Sequence, residues 1–230
     1  MIVAYAATRN LYQKMRPSIL SLLDHNEVEH LYILAEDDEL PFDIECNHSI
    51  LNVSGQTVFN QLNTRTYFTY MSMMRLTLPY LTKAERIIYL DCDTIVCDSL
   101  QPLWELDMEG KWWAAVEEYL GIWKPWGERY YNAGVCVFNL EQIRKDKVMP
   151  QIIHDLNTMR FRFIEQDVLN LYCVPDHIVP LDVRWNECFA TGYTDNPAIV
   201  HYAGFGDWYE NKGLYRHEFL EKYLPPIEKK

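Results

Sequence analysis

Two carboxylates one residue apart, Asp91 and Asp93, follow directly on the continuous apolar run Ile87–Leu90. Hard oxygen donors at that spacing suit Mn²⁺ or Mg²⁺, and an ion so held would in turn grip a diphosphate. A carboxylate beside a buried strand is costly unless something compensates its charge. The plain alternative is that the triplet is a turn or a helix cap. A second chemical reading makes Asp91 the nucleophile of a phosphohydrolase, which also places Asp-x-Asp after an apolar strand. That triplet usually lies near the N-terminus with Thr or Val two places after the second Asp. Here it is mid-chain and Ile95 stands at that place.

Other residues with chemical potential lie far off in sequence. His201 ends the apolar run Ile199-Val200 and is either a satisfied structural histidine or a third metal ligand, since imidazole is acceptable to Mn²⁺. Arg75 is either a surface charge or a cation aimed at the same crevice. Asn132-Ala133-Gly134 is small and polar, allowing close backbone approach to a ligand. Glu165-Gln166-Asp167 either caps a helix or carries chemistry. Glu117 and Glu118 end an apolar run and are placed to hydrogen-bond a ligand hydroxyl. Trp123-Lys124-Pro125-Trp126 is a candidate ligand-stacking loop, a lid or plain core.

The elements that must position these residues read as an α/β pattern. Strands are predicted at Ile2–Ala7, Leu31–Ala35, Ile87–Leu90, Trp113–Val116 and Val135–Asn139, with another ending at His201. Helices are predicted from Leu11 through Leu23 with Pro17 in a first turn, from Thr64 to Leu81, and from Glu141 to about Met159. Tyr67, Met71, Met74, Arg75 and Leu78 share overlapping faces of the second. Bulky apolar runs alternating with helices predict a mainly parallel, Rossmann-like nucleotide-binding sheet, with the crevice beyond the strands' carboxyl ends. No G-x-G-x-x-G is present. Glu36-Asp37-Asp38-Glu39 reads as a solvated loop.

The length of 230 residues fits one domain spanning 1–230, with 205–230 as a peripheral C-terminal segment. A net charge of −12 argues against nucleic acid as a partner. There is no run long enough to span a bilayer, no signal-peptide pattern and no C-x-x-C pair among six cysteines, so a reduced, cytoplasmic protein is expected. The mixed-charge tail from Tyr215, with Pro225-Pro226, is a candidate for peripheral membrane contact.

Taken in order, five segments resemble glycosyltransferase family 8, the group of glycogenin and the bacterial lipopolysaccharide galactosyl- and glucosyltransferases. They are Ala6-Ala7-Thr8-Arg9-Asn10-Leu11-Tyr12, Arg75-Leu76 with Tyr89-Leu90-Asp91-Cys92-Asp93, Tyr131–Val135, Glu165–Asn170 and His201–Gly204. The resemblance implies a GT-A type fold and a UDP-sugar donor, with Mn²⁺ (or Mg²⁺) held by Asp91, Asp93 and His201. It also implies retaining transfer of a hexose to a hydroxyl-bearing glycan or glycoconjugate. It places Ala6, Thr8, Asn10 and Tyr12 around uracil and ribose, with Tyr12 stacking on the base, and Cys92 near the ribose through its backbone. Arg75, Asn132, Ala133, Gln166 and Asp167 surround the donor sugar, and Gly204 lets the backbone approach the diphosphate.

Gln166 occupies the family's far-face position and is a poor nucleophile, which favours a same-face substitution. Asp167 or Glu165 acting as a transient nucleophile is the alternative. Two positions depart from the family pattern. Thr8 stands where an acid is common, and Asp207 stands where a lysine usually meets the β-phosphate. A charge pair at 4 Å is worth roughly 4 kcal/mol at an effective dielectric of about 20, so that position calls for a substitute cation: Lys212, Arg9 or Arg75. Without one, the chain reads instead as a weakly active or non-catalytic binder of nucleotide sugars.

Overall fold

The computed structural model describes residues 1–64, 69–119, 129–206 and 208–224. Strand β1 (Ile2–Ala6) leads through a 3-10 turn at Arg9–Leu11 into helix α1 (Tyr12–His25). The helix therefore starts early enough that Pro17 sits inside it rather than in its first turn. Strands β2 (His30–Ala35) and β3 (His48–Asn52) follow, the latter half-exposed and without a clear apolar signature. The helix expected over 64–81 is two short pieces, α2 (Tyr70–Met74) and α3 (Leu78–Leu81), joined by a 3-10 turn at Arg75–Thr77. The Thr69 side chain caps α2 by accepting from the Met71 N–H, and Pro79 sits at the start of α3. Tyr67 lies outside the described residues.

Strand β4 (Arg86–Leu90) ends at the aspartates, and β5 (Thr94–Val96) leaves them. Next come α4 (Gln101–Trp104), β6 (Trp113–Val116) and β7 (Val135–Asn139). The helix expected from 141 to 159 is split into α5 (Leu140–Asp146) and α6 (Met149–Thr158). Left-handed Lys147 ends the first, and Pro150 opens the second. Helix α7 (Ile164–Cys173), β8 (Ile178–Leu181), β9 (Ile199–His201) and α8 (His217–Glu221) complete the chain.

The main sheet runs β3-β2-β1-β4-β7-β6-β8, and β5-β9 form a separate pair. Four neighbour pairs in the main sheet are parallel, while β7 is antiparallel to both β4 and β6, so the sheet is mainly parallel as expected. The period of two along each strand divides the core. Val3, Tyr5, Ile88, Leu90, Val135 and Val137 face Met15, Ile19 and Leu22 of α1. Ala4, Ile87, Tyr89, Cys136 and Phe138 face the opposite side, against Met73, Leu78, Ile143, Ile152 and Val168. Fully burying one such side chain stabilises by about 1.5–3 kcal/mol, and both faces of β4 are buried in this way. A third cluster packs Trp208 and Leu220 onto Ile95, Val200 and Tyr202 of the small β5-β9 sheet. Among the described residues no helix is long and apolar enough to cross a membrane.

Candidate metal centre

The end of β4 is held open by backbone pairing. The antiparallel β4–β7 register sets Leu90 against Val135, and the Asp91 N–H donates to the Gly134 carbonyl at 2.8 Å. The chain then leaves as β5, whose antiparallel pairing with β9 sets Thr94 opposite His201. The Tyr202 N–H donates to the Asp93 carbonyl at 2.9 Å, extending that pairing to the aspartate. A residue more than a hundred positions away is thus brought beside the acidic triplet.

His201 Nε2 lies 3.2 Å from Asp93 Oδ1 and 3.9 Å from Asp91 Oδ2, and one ligand atom from each residue falls within 4.8 Å of the others. The aspartate side chains are 29% and 27% exposed while the imidazole is 3% exposed, so the cluster opens to solvent on its carboxylate side. Gly134 makes room for the ring: a Cβ there would come within 2.0 Å of His201 Cε1.

The donor set of two carboxylates and an imidazole fits Mn²⁺ or Mg²⁺. The surrounding hydrogen bonds fit as well. His201 Nδ1 lies 2.8 Å from Asn186 Oδ1, an acceptor-only atom, so the ring carries a proton on Nδ1 and turns Nε2 toward the aspartates. Asn186 Nδ2 donates to Asn132 Oδ1 at 2.8 Å, and Asn132 Nδ2 donates to Glu118 Oε1 at 2.9 Å. The same Glu118 oxygen accepts from Gln166 Nε2 at 3.0 Å, and Gln166 Oε1 accepts from the Ala133 N–H at 2.9 Å. One chain of hydrogen bonds therefore runs from the imidazole to Gln166.

The charges respond to this packing. Burial pushes the Asp91 carboxyl up, against the pull of Arg75. Burial also works upward on Asp93, but His201 outweighs it and the net shift is downward. Burial pulls the His201 imidazole down, yet Asp93 and the neighbouring Cys188 hold it well above its usual value. The His201 proton supplies the compensation that a divalent ion would replace, and ligation through Nε2 requires its release. Burial raises Glu118, with Asn132 and Gln166 opposing.

The sequence-predicted residues fall into three groups. Arg75 lies beneath the aspartates, buried over the Tyr89 ring at 4.1 Å. It donates to Asp91 Oδ1 at 2.8 Å and to the Ala133 carbonyl, and lies 3.3 Å from Glu165 Oε1. Asn132, Ala133 and Gln166 join the centre through the hydrogen bonds just described. Asp167 is fully engaged: Oδ1 accepts from the Tyr130 hydroxyl at 2.5 Å, and Oδ2 accepts from the backbone N–H groups of Arg162 and Phe163 at the start of α7. Glu165 accepts from the Ser72 hydroxyl at 2.9 Å.

The second group lies at the end of β1. Ala6 accepts from the Cys92 thiol at 3.3 Å, which ties this strand end to the acidic triplet. The Thr8 hydroxyl donates to Asn10 Oδ1 at 2.6 Å, and Arg9 pairs with Asp37. Tyr12 is buried, with its hydroxyl accepting from the Glu36 and Asp37 N–H groups. The third group follows β9. Gly204 is left-handed at φ 80°, and a Cβ there would meet the Phe189 ring at 3.0 Å. Lys212 is exposed and has no ion pair with a described residue. Asp207 and Trp123 to Trp126 lie outside the described residues. Sequence reasoning missed Asn186 and Cys188: a lone Asn after Trp185 carries no spacing signal, and its partners are 15 and 54 positions away.

Comparison with known proteins gives the family and the fold. General stress protein A of Bacillus subtilis (strain 168) is 27% identical over 245 residues, covering 88% of this chain and 85% of that protein. Lipopolysaccharide glucosyltransferase WaaO of Escherichia coli (strain K12) is 24% identical, covering 90% and 73%. Glycosyltransferase GlyD of Streptococcus pneumoniae serotype 4 is 25% identical over 88% of this chain, which spans only 28% of GlyD. The crystal structure of galactosyltransferase LgtC in complex with donor and acceptor sugar analogs shares the fold, at a TM-score of 0.73 and 19% identity over 98% of both chains. The sequence pattern of glycosyl transferase family 8 matches residues 2–210, and the chain belongs to that family of sugar-transferring enzymes.

Proposed function

We propose that this protein is a retaining, divalent-metal-dependent hexosyltransferase that moves a hexose from a UDP-sugar to a hydroxyl of a glycan or glycoconjugate. The observation that carries this reading is the convergence of Asp91, Asp93 and His201 from two separate sheets, within a family 8 chain. These three residues would hold Mn²⁺ or Mg²⁺, which when bound supplies Lewis-acid stabilisation of the departing diphosphate. Arg75 opposes the burial that raises Asp91 and holds that carboxylate in place, and Asn186 keeps Nε2 of His201 facing the ion. Ala6, Thr8, Asn10, Tyr12 and Cys92 form the nucleoside side. Gly204 permits close approach of the diphosphate, and Lys212, exposed and without an ion pair to a described residue, is the cation assigned to the β-phosphate. Lys212→Ala with unchanged affinity for Mn²⁺ and UDP would remove that residue from the site.

Retention is what membership of family 8 implies, and the nucleophile inventory bears on the route to it. Gln166 has its amide oriented at both ends, by Ala133 and Glu118. Asp167 has both oxygens committed to Tyr130 and the α7 N-terminus, and Glu165 is held by Arg75 and Ser72. Neither acid is disposed for a double displacement. These contacts support a same-face substitution in which the leaving phosphate oxygen takes the acceptor proton, with Gln166 orienting the donor sugar. A test is to screen UDP-glucose, UDP-galactose and their N-acetyl forms with Mn²⁺ and with EDTA. Metal-dependent hydrolysis that releases the α-anomer first, followed by proton NMR, is expected. Metal-independent turnover or first release of the β-anomer would overturn the proposal. Gln166→Ala slows transfer moderately; a glycosyl adduct trapped on Asp167 or Glu165 would contradict the same-face route.

A further inference from the structure

Among the described residues, exposed aromatic side chains concentrate on one side of the metal centre. Tyr119, Phe189 and Phe205 are all exposed, Tyr119 to 60%. Each follows immediately after a residue of the centre or its rim. Tyr119 follows Glu118 of the hydrogen-bond chain, Phe189 follows Cys188 beside His201, and Phe205 follows Gly204. The three are stitched together. The Tyr119 N–H donates to the Ala190 carbonyl at 3.0 Å, and the Tyr119 ring lies against Gly192. Phe189 and Phe205 meet edge to face with centroids 6.0 Å apart. Exposed Tyr193 and Tyr215 form a second pair with centroids 4.6 Å apart.

The row is aromatic throughout, whereas the exposed aliphatic residues Val58 and Leu81 belong to other segments. The C–H faces of pyranose rings present weakly positive hydrogens that sit well on the negative face of an aromatic ring, while the phenolic hydroxyls offer hydrogen bonds at the edges. Aromatic area also suits protein interfaces and membrane surfaces. Position beside the proposed sugar-transfer centre selects the carbohydrate among them, and a chain of net charge −12 is repelled by anionic lipid. Phe189 and Tyr119 each stand next in sequence to a residue of the centre, and Tyr193 is next to Gly192 on which the Tyr119 ring rests, so the two aromatic pairs adjoin through Tyr119. We infer that this ridge binds the acceptor as an oligosaccharide of at least two hexose units, with Phe189, Phe205 and Tyr119 under the inner ring and Tyr193 and Tyr215 under an outer one. This rests on the proposed transferase reading and deepens it.

The test is saturation-transfer NMR on the full chain with UDP and Mn²⁺, using methyl β-galactoside, lactose, maltotriose and cellotriose as probes. A di- or trisaccharide should show stronger transfer than the monosaccharide, concentrated on ring-face protons. Phe189→Ala and Tyr193→Ala should each weaken its binding by about three- to tenfold, Phe189→Trp should restore it, and Tyr80→Ala should leave it unchanged. Absence of signal from every probe, or alanine variants that bind like the original chain, would overturn the ridge. So would alanine variants that lose self-association on gel filtration or co-sedimentation with phosphatidylcholine vesicles instead. Calorimetry of UDP with Mn²⁺ separates the two readings. If that binding is retained while the sugars fail, the ridge alone is wrong; if that binding is itself missing, the donor reading has failed.

Discussion

The metal centre and the turn after β1 face the same crevice but are built in opposite ways. The metal centre draws Asp91, Asn132, Asn186 and His201 from four separate segments, joined by hydrogen bonds within a largely buried region, with a glycine packed against the imidazole. The turn at Thr8–Asn10 is local and mostly exposed, closed by the Thr8–Asn10 hydrogen bond and the exposed Arg9–Asp37 ion pair. Position at the metal centre is over-determined by burial, whereas at the turn it is held by contacts that water and salt weaken. Cation binding tolerates little misplacement, since both carboxylates and the imidazole must meet one ion. The nucleoside proposed for the turn would ask less of its position than a cation does.

The contrast can be broken or sharpened by substitution. The largest effect belongs to Arg75→Met, which strands Asp91 and Glu165 beneath the site. Losing one partner of a buried ion pair costs about 3–5 kcal/mol, read as a lower urea midpoint at constant slope. A stability change below 1 kcal/mol would mean that the pairs are solvated and the metal side is not rigid. Gly134→Ala comes next. Its methyl must push His201 aside, costing about 1–3 kcal/mol of stability from overpacking. It should also weaken Mn²⁺ binding, measured by electron paramagnetic resonance titration.

Asn186→Ala leaves the ligands in place but frees the imidazole to rotate or change tautomer. Mn²⁺ affinity should fall by about 10–100-fold, the range for loss of an outer hydrogen-bond partner. Asn186→Asp keeps the acceptor for Nδ1 but loses the donor to Asn132, so it should recover only part of it. Arg9→Ala should change least: no measurable shift in thermal midpoint, and a smaller loss of UDP affinity than Asn186→Ala causes. An equal loss in those two variants would erase the distinction between the two regions.

Legibility in the sequence followed the same divide. Continuous apolar runs identify β1, β2, β4, β6 and β7, because a strand buried on both faces has no freedom to be polar. Strand β3, half-exposed at a sheet edge, left no such mark. Helix breaks were harder to place. Pro150 and Lys147 split the expected helix because Pro favours a helix start and Lys147 adopts a left-handed backbone. Pro17 went the other way, because packing of α1 against the sheet outweighs one lost backbone hydrogen bond.

At the site, Asp91 and Asp93 could be read locally, since their spacing and the preceding strand lie within seven residues. His201 could be read locally only as a strand-end histidine with two possible roles, and resemblance to a family tied it to the acidic pair. By itself the chain determined a mainly parallel α/β sheet with an acidic pair at the end of its central strand, because burial pressure and ligand chemistry both act over a few adjacent residues. Tertiary structure alone decided which imidazole meets that pair, which nitrogen faces it, and that Asn186, Asn132, Glu118 and Gln166 form one chain of hydrogen bonds. Those relations depend on β-strand register between distant segments, and a hydrogen bond between residues far apart leaves no periodicity for a sequence to display.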